Sequence, residues 1–596
     1  MVRRLLITIA LFACLPGLAG AQHFHQHIDA APEDDLRPSP CTKAYAAPKL
    51  DAAIRKVHWK VSTTNAAAQA FFDQGITLIY GFNYEDAMRN FRKAKALDPT
   101  LAMASWGIAL AAGPNINIAM EGPCGQVALA ESGAALKLAE AQRPAGKITE
   151  LEYAVVHALP PRYAKATIAP DAYALARRNV DYAVAMRAVW LRFRDANVSA
   201  LFAESLMDLR PWALFNVAQQ PAIDTGLIEQ VLQQSIVREP RAVGANHYWI
   251  HAEEAGPSPG HAKPSADLLR TLVPGSGHLM HMPSHTYMLV GDYAAAFAVN
   301  ASAIAVDDHQ FAAACAGTYE QYTKNPDCLQ LYYGHYGAHN LFFRSVAALF
   351  AGNRTAALEN ARKAQRHVQH FVAYEPGLQR YMTAPLTTLV ANHDWAAVLR
   401  EPEPPVSCYV QPPFTHETGC RILRSTWLWA RAMADAATGN TTTVKVDYDK
   451  FAAEQKLIAS PDPTGWGNNS AAAILAIADQ TVLARIAWAD GKRAAAIEHL
   501  KLAVTYEDGL VYDEPPQWAH PSRQSLGGAL LAQSDYAGAA RVFRDDLLRH
   551  PLNGRSLYGL SRALHGLGDP TWHAVYAQYR AAWKIADYTM SDAQLW

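Results

Sequence analysis

The chain has 596 residues, with 53 Lys plus Arg against 54 Asp plus Glu and a formal net charge of −1. Near-neutrality excludes the broad basic footprint of a duplex nucleic-acid binder, so no nucleic-acid partner is expected. At 50% hydrophobic and 18% charged residues the chain is not disordered, and its length corresponds to about four domains or one extended array.

Arg3 and Arg4 precede an apolar run from Leu5 to Leu15, then Pro16-Gly17 and Ala19-Gly20-Ala21. That order predicts a signal peptide over 1–21, cleaved after Ala21, and a periplasmic or secreted protein. Lipidation at Cys14 is the alternative, against which bulky Phe12 argues. The run is too short to span a bilayer, and no later stretch reaches about 18 uninterrupted apolar residues, so no membrane span is expected. Residues 22–60, with His23, His25, His27 and scattered prolines, read as an extended N-terminal arm whose histidines are most simply an unordered polar tract.

Of seven cysteines, Cys14 leaves with the signal. The six that remain, in an oxidising compartment, read as a disulfide framework with 15 formal pairings. Short loops favour Cys315 with Cys328 and Cys408 with Cys420, which leaves Cys41 with Cys124.

Residues 68–100 show helical periodicity twice, with a break at Gly81-Phe82-Asn83. Gly75 and Ala87 permit close helix approach, Phe71, Leu78 and Phe91 fill the space between, and Pro99 ends the unit. The pattern resembles a tetratricopeptide repeat. The same register recurs at 291–308 (Tyr293, Ala296, Ala303), 352–364 (Ala357, Ala361, Ala364), 491–503 (Ala496, Leu500, Ala503) and 534–551 (Tyr536, Ala539, Phe543, Pro551). Helix pairs around 102–145, 150–240 and 421–490 match it loosely. The expected fold class is all-α, a tetratricopeptide-type α-solenoid of antiparallel helix pairs with irregular, disulfide-bridged loops. Its parts are an array with a histidine-lined groove over 61–400, a disulfide loop over 401–420 and a C-terminal array over 421–596.

Twenty-three histidines are many for this length, and their placement carries the functional argument. His247, His251 and Glu254 stand at i, i+4 and i+7, on one helix face. His278, His281 and His285 stand at i, i+3 and i+7, with Pro283 interrupting their helix; His335 and His339 are four apart. Taking Pro240 and Pro274 as repeat ends puts His247 and His251 at the fifth and ninth positions of one first helix. His278, His281 and His285 then fall at the second, fifth and ninth positions of the next, and His339 at the second of a later one. In the repeat family those positions line the concave groove.

Imidazole is the commonest neutral ligand for first-row transition metals, and His-x-x-x-His on a helix presents two donors together. The expected ligands are His247, His251, His278, His281, His285 and His339, holding one metal or two. Copper or zinc is favoured and iron is admissible. Met280, Met282 and Met288 tilt the choice toward copper, although methionine at helical spacing is more often core. Glu254, with Glu253 beside it, would orient ligands or act as a base on metal-bound water, so that the site activates water or oxygen. The spacing is not His-Glu-x-x-His, so a zinc protease is not implied. Competing readings are a protein- or peptide-binding adaptor whose groove histidines are not metal ligands, a pH sensor, and hydrogen-bonded packing.

Weaker signals complete the reading. Asn115 and Asn117 suggest a helix-ending turn or a groove-mouth contact. Tyr512 to His520, then Arg523, suggests a packed loop or a ligand lid. Serine-hydrolase and nucleotide-binding motifs do not occur. The segments NHYWIHAEEAGPSPGHAKPSADLL and GHLMHMPSHTYM resemble those of exported bacterial tetratricopeptide proteins. That resemblance implies a solenoid over most of 60–565 and brings no activity, substrate or metal with it. The repeat family implies peptide binding in the groove, but histidines stand here where peptide-binding members carry Lys, Arg and Asn.

Overall fold

Successive helices are joined by a short turn in which one residue takes the left-handed conformation and the next caps the following helix. Gly291, Gly352, Phe82, Arg194, His393 and Ser534 all have φ between 54° and 84° in this place. The residues after them, Asp292, Asn353, Asn83, Asp195, Asp394 and Asp535, each accept a backbone N–H of the first helical turn. Glycine takes the left-handed region without penalty, and Asn or Asp satisfies donors that a helix start leaves unpaired. The recurring unit is therefore written in local chemistry.

The computed structural model describes residues 39, 41, 47–118, 122–163, 172–315, 331–369, 372, 376–404, 417–458 and 466–596. The expected signal peptide, the histidines at 23, 25 and 27, and the side-chain pairing of Cys315 with Cys328 and of Cys408 with Cys420 lie outside the described residues. Among those described, regular structure is helical, with two isolated β-bridges and no strand.

Helices pack on their neighbours in chain order. Ala66–Tyr80 packs on Tyr84–Leu97, which packs on Ala102–Ala111, which packs on Gly122–Gln142. Leu331–Phe350 with Arg354–Val368, Ala471–Ala489 with Arg493–Asp508, and Ser522–Ala532 with Tyr536–Arg549 continue the pattern. One ring organises each end of the array. Phe91 is wedged between Gly75 and Gly107, where an added Cβ would stand 2.6 and 2.5 Å from it. Phe543 is wedged in the same way, at the same sequence spacing, between Gly527 and Gly559. The Ala471–Ala489 helix is long and apolar enough to cross a membrane, but Ile474, Leu475, Ala478 and Val482 on it are buried in the core.

Two long-range features shape the region of interest. The chain before the first helix is pinned to it: Asp51 N–H donates to Gln74 Oε1 (2.7 Å), and Gln74 Nε2 donates to the Lys49 carbonyl (2.8 Å). Cys41 and Cys124 stand 5.1 Å apart at Cα, a separation that a disulfide spans. The C-terminal pairs also pack back on the central ones. Tyr293 donates to the Pro551 carbonyl (2.8 Å), Asp587 accepts from the Arg354 and Thr355 backbones (2.9 and 2.8 Å), and Arg555 reaches the Ala391 carbonyl (2.6 Å).

Phe91 is fully buried with two glycines closed upon it, so neighbouring helices cannot collapse into the space it leaves. Phe91→Ala is expected to cost about 3–5 kcal/mol, read as a shift in the urea unfolding midpoint without change in slope. A loss below about 1 kcal/mol would show that the wedge is not structural.

Candidate metal centre

The centre is built on four helices. Val243–Glu253 carries His247 and His251 and ends at Glu254; Gly277–His281 carries His278 and His281; Pro283–Leu289 carries His285; Leu331–Phe350 carries His339. The break at Pro283 costs no convergence, because Met282 keeps helical dihedrals across it. His247, His251, His278, His281 and His285 are 0–6% exposed, and His339 is partly buried. These residues are enclosed rather than spread along an open groove.

Their ring nitrogens form two triads, His247 with His251 and His278, and His281 with His285 and His339, each with ligand atoms within 4.8 Å of one another. His247 Nε2 lies 3.2 Å from His278 Nε2, and His281 Nε2 lies 2.8 Å from His285 Nε2. Two imidazole nitrogens on one tetrahedral zinc stand about 3.3 Å apart, given bonds of about 2.0 Å. The triads adjoin, with ring centroids of His251 and His285 5.6 Å apart. His335 is not among the converging residues.

Hydrogen bonds around the rings determine where their protons sit. Asn300 Nδ2 donates to the Ala296 carbonyl (2.8 Å), so its Oδ1 faces His281 Nδ1 at 2.6 Å and accepts a proton from it. His285 Nδ1 lies 2.7 Å from Glu254 Oε2 and 2.6 Å from Glu514 Oε2. His251 Nδ1 lies 2.7 Å from Glu254 Oε1. With Nδ1 protonated in all three, a ring that is neutral keeps its lone pair on Nε2. Among the described residues His251 Nε2 has no hydrogen-bond partner, and the Nε2 atoms of His281 and His285 point at each other. Only a proton or a metal ion between them relieves that arrangement. Imidazoles whose second nitrogen is held by a carboxylate or carbonyl are how proteins orient metal ligands.

Electrostatics follow from burial. Desolvation, helped by neighbouring imidazoles, holds His247, His278 and His281 well below the ordinary histidine value of 6.5. Burial acts the same way on His285, but Glu514 and Glu254 outweigh it and raise it to about 10. Burial would raise Glu254, yet His251 and His285 hold it below the usual carboxylate range. Glu514 goes the other way, pushed up by burial and by the charge on Glu254. Both Glu254 oxygens accept imidazole N–H.

Several residues join the site that spacing arguments did not single out. Phe82 lies over one triad, its ring 4.7, 5.7 and 5.1 Å from His247, His251 and His278. Its φ of 56° is a conformation that costs a bulky residue roughly 1–2 kcal/mol, at a turn position held by Gly291 and Gly352 in some pairs and by Arg194, His393 and Ser534 in others. Phe343 covers the other triad, 4.8, 4.9 and 5.1 Å from His281, His285 and His339. Phe343 follows His339 by four residues and was findable by helical spacing; Asn300 carries no local signal. Glu514 comes from the loop noted as a possible lid, and Tyr512 of that loop donates to it (3.4 Å). A narrow cleft is lined by Met207, Trp212, Leu214 and Tyr512 together with His251 and Glu254.

Other expectations resolve plainly. Asn115 Oδ1 accepts the backbone N–H groups of Asn117 and Ile118, a turn, while Asn117 Nδ2 donates to Tyr336 (2.9 Å), whose ring lies 4.5 Å from His278. Met282 and Met288 are buried in the apolar core, which removes their support for copper. Glu253 faces His261 at 3.2 Å rather than the triads.

No protein-family model matches the chain, and no curated protein matches it. Among solved structures, the human IFIT1 dimer with PPP-AAAA is similar at 11% sequence identity over 88% of this chain and 91% of that one, with a TM-score of 0.29. The Naa15/Naa10 structure bound to HypK-THB is similar at 12% identity over 88% and 84%, with a TM-score of 0.23. Likeness at this level carries no argument about function.

Two predictions follow from the packing around the triads. Phe82→Gly relieves roughly 1–2 kcal/mol of backbone strain but removes a buried ring worth about 3–5 kcal/mol. The variant should therefore be net destabilised by about 1–4 kcal/mol in urea unfolding; a more stable variant would show that strain dominates. Asp307 accepts from Asn340 Nδ2 (2.9 Å) and Tyr332 behind His278, and burial, then Asp308, lifts its carboxyl from 3.8 to about 8. The folded state then binds a proton that the unfolded state has released, so stability falls as pH rises from 3.8 to about 8 and is level above. Asp307→Asn should remove that loss, giving a melting-temperature advantage that grows across this window and is absent in acid.

Proposed function

We propose that the chain is an exported metalloprotein of tetratricopeptide type whose two histidine triads hold zinc or copper. The observation that carries this reading is the approach of His281 Nε2 to His285 Nε2 at 2.8 Å, with Nδ1 of the first ring engaged by Asn300 and Nδ1 of the second by Glu254 and Glu514. The three-histidine composition of each triad suits zinc with a position left for water, and imidazole equally suits copper. Such a metal lowers the pKa of bound water and supplies a nucleophile near neutral pH. The narrow cleft lined by His251 and Glu254 would admit water to it. Glu254, with both oxygens engaged by imidazoles, fits the role of orienter better than that of base.

Burial of the histidines beneath Phe82, Phe343 and the Glu514 loop supports a ligand set more than a peptide-docking surface, which must be reachable. Export rests on the N-terminal sequence and is supported by the approach of Cys41 to Cys124. The antiparallel pairing of a tetratricopeptide array is supported by the recurring turn.

The test is elemental analysis of protein purified without a polyhistidine tag, beside His281→Ala/His285→Ala and Glu254→Gln. Stoichiometric zinc or copper is expected in the parent, with loss from the double variant. Glu254→Gln should keep the ligands but bind metal about 10–100-fold more weakly. A parent that holds no metal after loading with either ion overturns the proposal.

A further inference from the structure

A second group of buried polar side chains lies in the C-terminal half and shares no residue with the histidine triads. Arg485, on the Ala471–Ala489 helix, is 8% exposed, and Arg555, on the Gly554–Gly566 helix, is 5% exposed. Among the described residues neither forms an ion pair. Arg555 spends one nitrogen on the Ala391 carbonyl (2.6 Å), and its Nε has no partner. Arg485 makes no hydrogen bond. Its guanidinium lies 4.1 Å from the ring centroid of Trp596 and 5.3 Å from that of Trp395, and its Nε is also without a partner.

Two histidines complete the group. His520 is 9% exposed, its Nε2 lacks a partner, and its ring lies 5.9 Å from that of His393, which stacks on Trp395 at 5.0 Å. Arg485 and Arg555 both act electrostatically on each of these imidazoles. The carboxylate that also acts on His520 is Asp546, and it is already engaged by His550 (2.9 Å), Ser556 and Gln524. Two guanidiniums are thus enclosed, and among the described residues no carboxylate pairs with either. Unpaired buried charge is costly, and contact with an aromatic face returns only part of that cost. A planar guanidinium with free N–H groups is the side chain best matched to a carboxylate or phosphate.

We propose that Arg485, Arg555 and His520 form a binding site for a small oxyanion, a phosphate or carboxylate group, walled by Trp395 and Trp596. His520 ends the loop that carries Glu514 to the first triad, so an anion held here would steady the same loop. The site does not depend on the metal reading.

The experiment is isothermal titration of the full-length protein with inorganic phosphate and, separately, with succinate, at constant ionic strength against chloride. Saturable binding tighter than ~1 mM is expected in at least one arm, and the arm that binds identifies the group. Arg485→Met and Arg555→Met should each weaken it about 10–100-fold with metal content unchanged. If a methionine variant does not fold, Arg485→Lys and His520→Gln replace it with the same reading. Absence of saturable binding in both arms overturns the proposal, and so does binding that the arginine and histidine variants leave unchanged.

Discussion

One carboxylate organises the centre. Glu254 accepts Nδ1–H from His251 through one oxygen and lies against Nδ1 of His285 through the other, both at 2.7 Å. Burying a carboxylate costs several kcal/mol unless its lone pairs are met, and here two imidazoles from different helices meet them. The same contacts engage Nδ1 of both rings and so direct two Nε2 atoms inward, one to each triad. Without Glu254 the rings would still converge, but neither orientation nor proton position would be determined.

The burial that makes this carboxylate effective comes from the way the array returns on itself. Consecutive helix pairs alone would leave a row of first helices facing solvent on one side. The C-terminal pairs meet the central ones at their turns, through Pro551, Asp587 and Arg555, and the 512–520 stretch brings Glu514 against His285. Phe82 and Phe343 supply apolar cover on opposite triads. Phe82 does so in a left-handed backbone conformation that Gly291, Gly352, Arg194, His393 and Ser534 share at equivalent turns.

Glu254 and Glu514 illustrate how two like groups diverge by environment. Both are buried near His285, yet the first is held ionised by two imidazoles while the second, beside an existing negative charge, is pushed toward its neutral form.

Much of this was legible in the chain itself. The turns after Val290 and Ala351 follow from Gly and then Asp or Asn at fixed places, because capping and left-handed backbone are decided within a few residues. The histidine faces at 247–254 and 278–285 follow from helical spacing for the same reason, and so does the close approach at Gly75. Asn300, Glu514 and Phe82 as parts of the centre, and Arg485 beside Arg555, could not be read this way. Each lies on another helix or loop, and nothing in its neighbours records what it will meet. The identity of the elements and the presence of six candidate ligands belong to the sequence. Which ring nitrogens carry protons, how deeply the ligands are buried and what covers them were decided by tertiary packing, since those depend on contacts across tens to hundreds of residues.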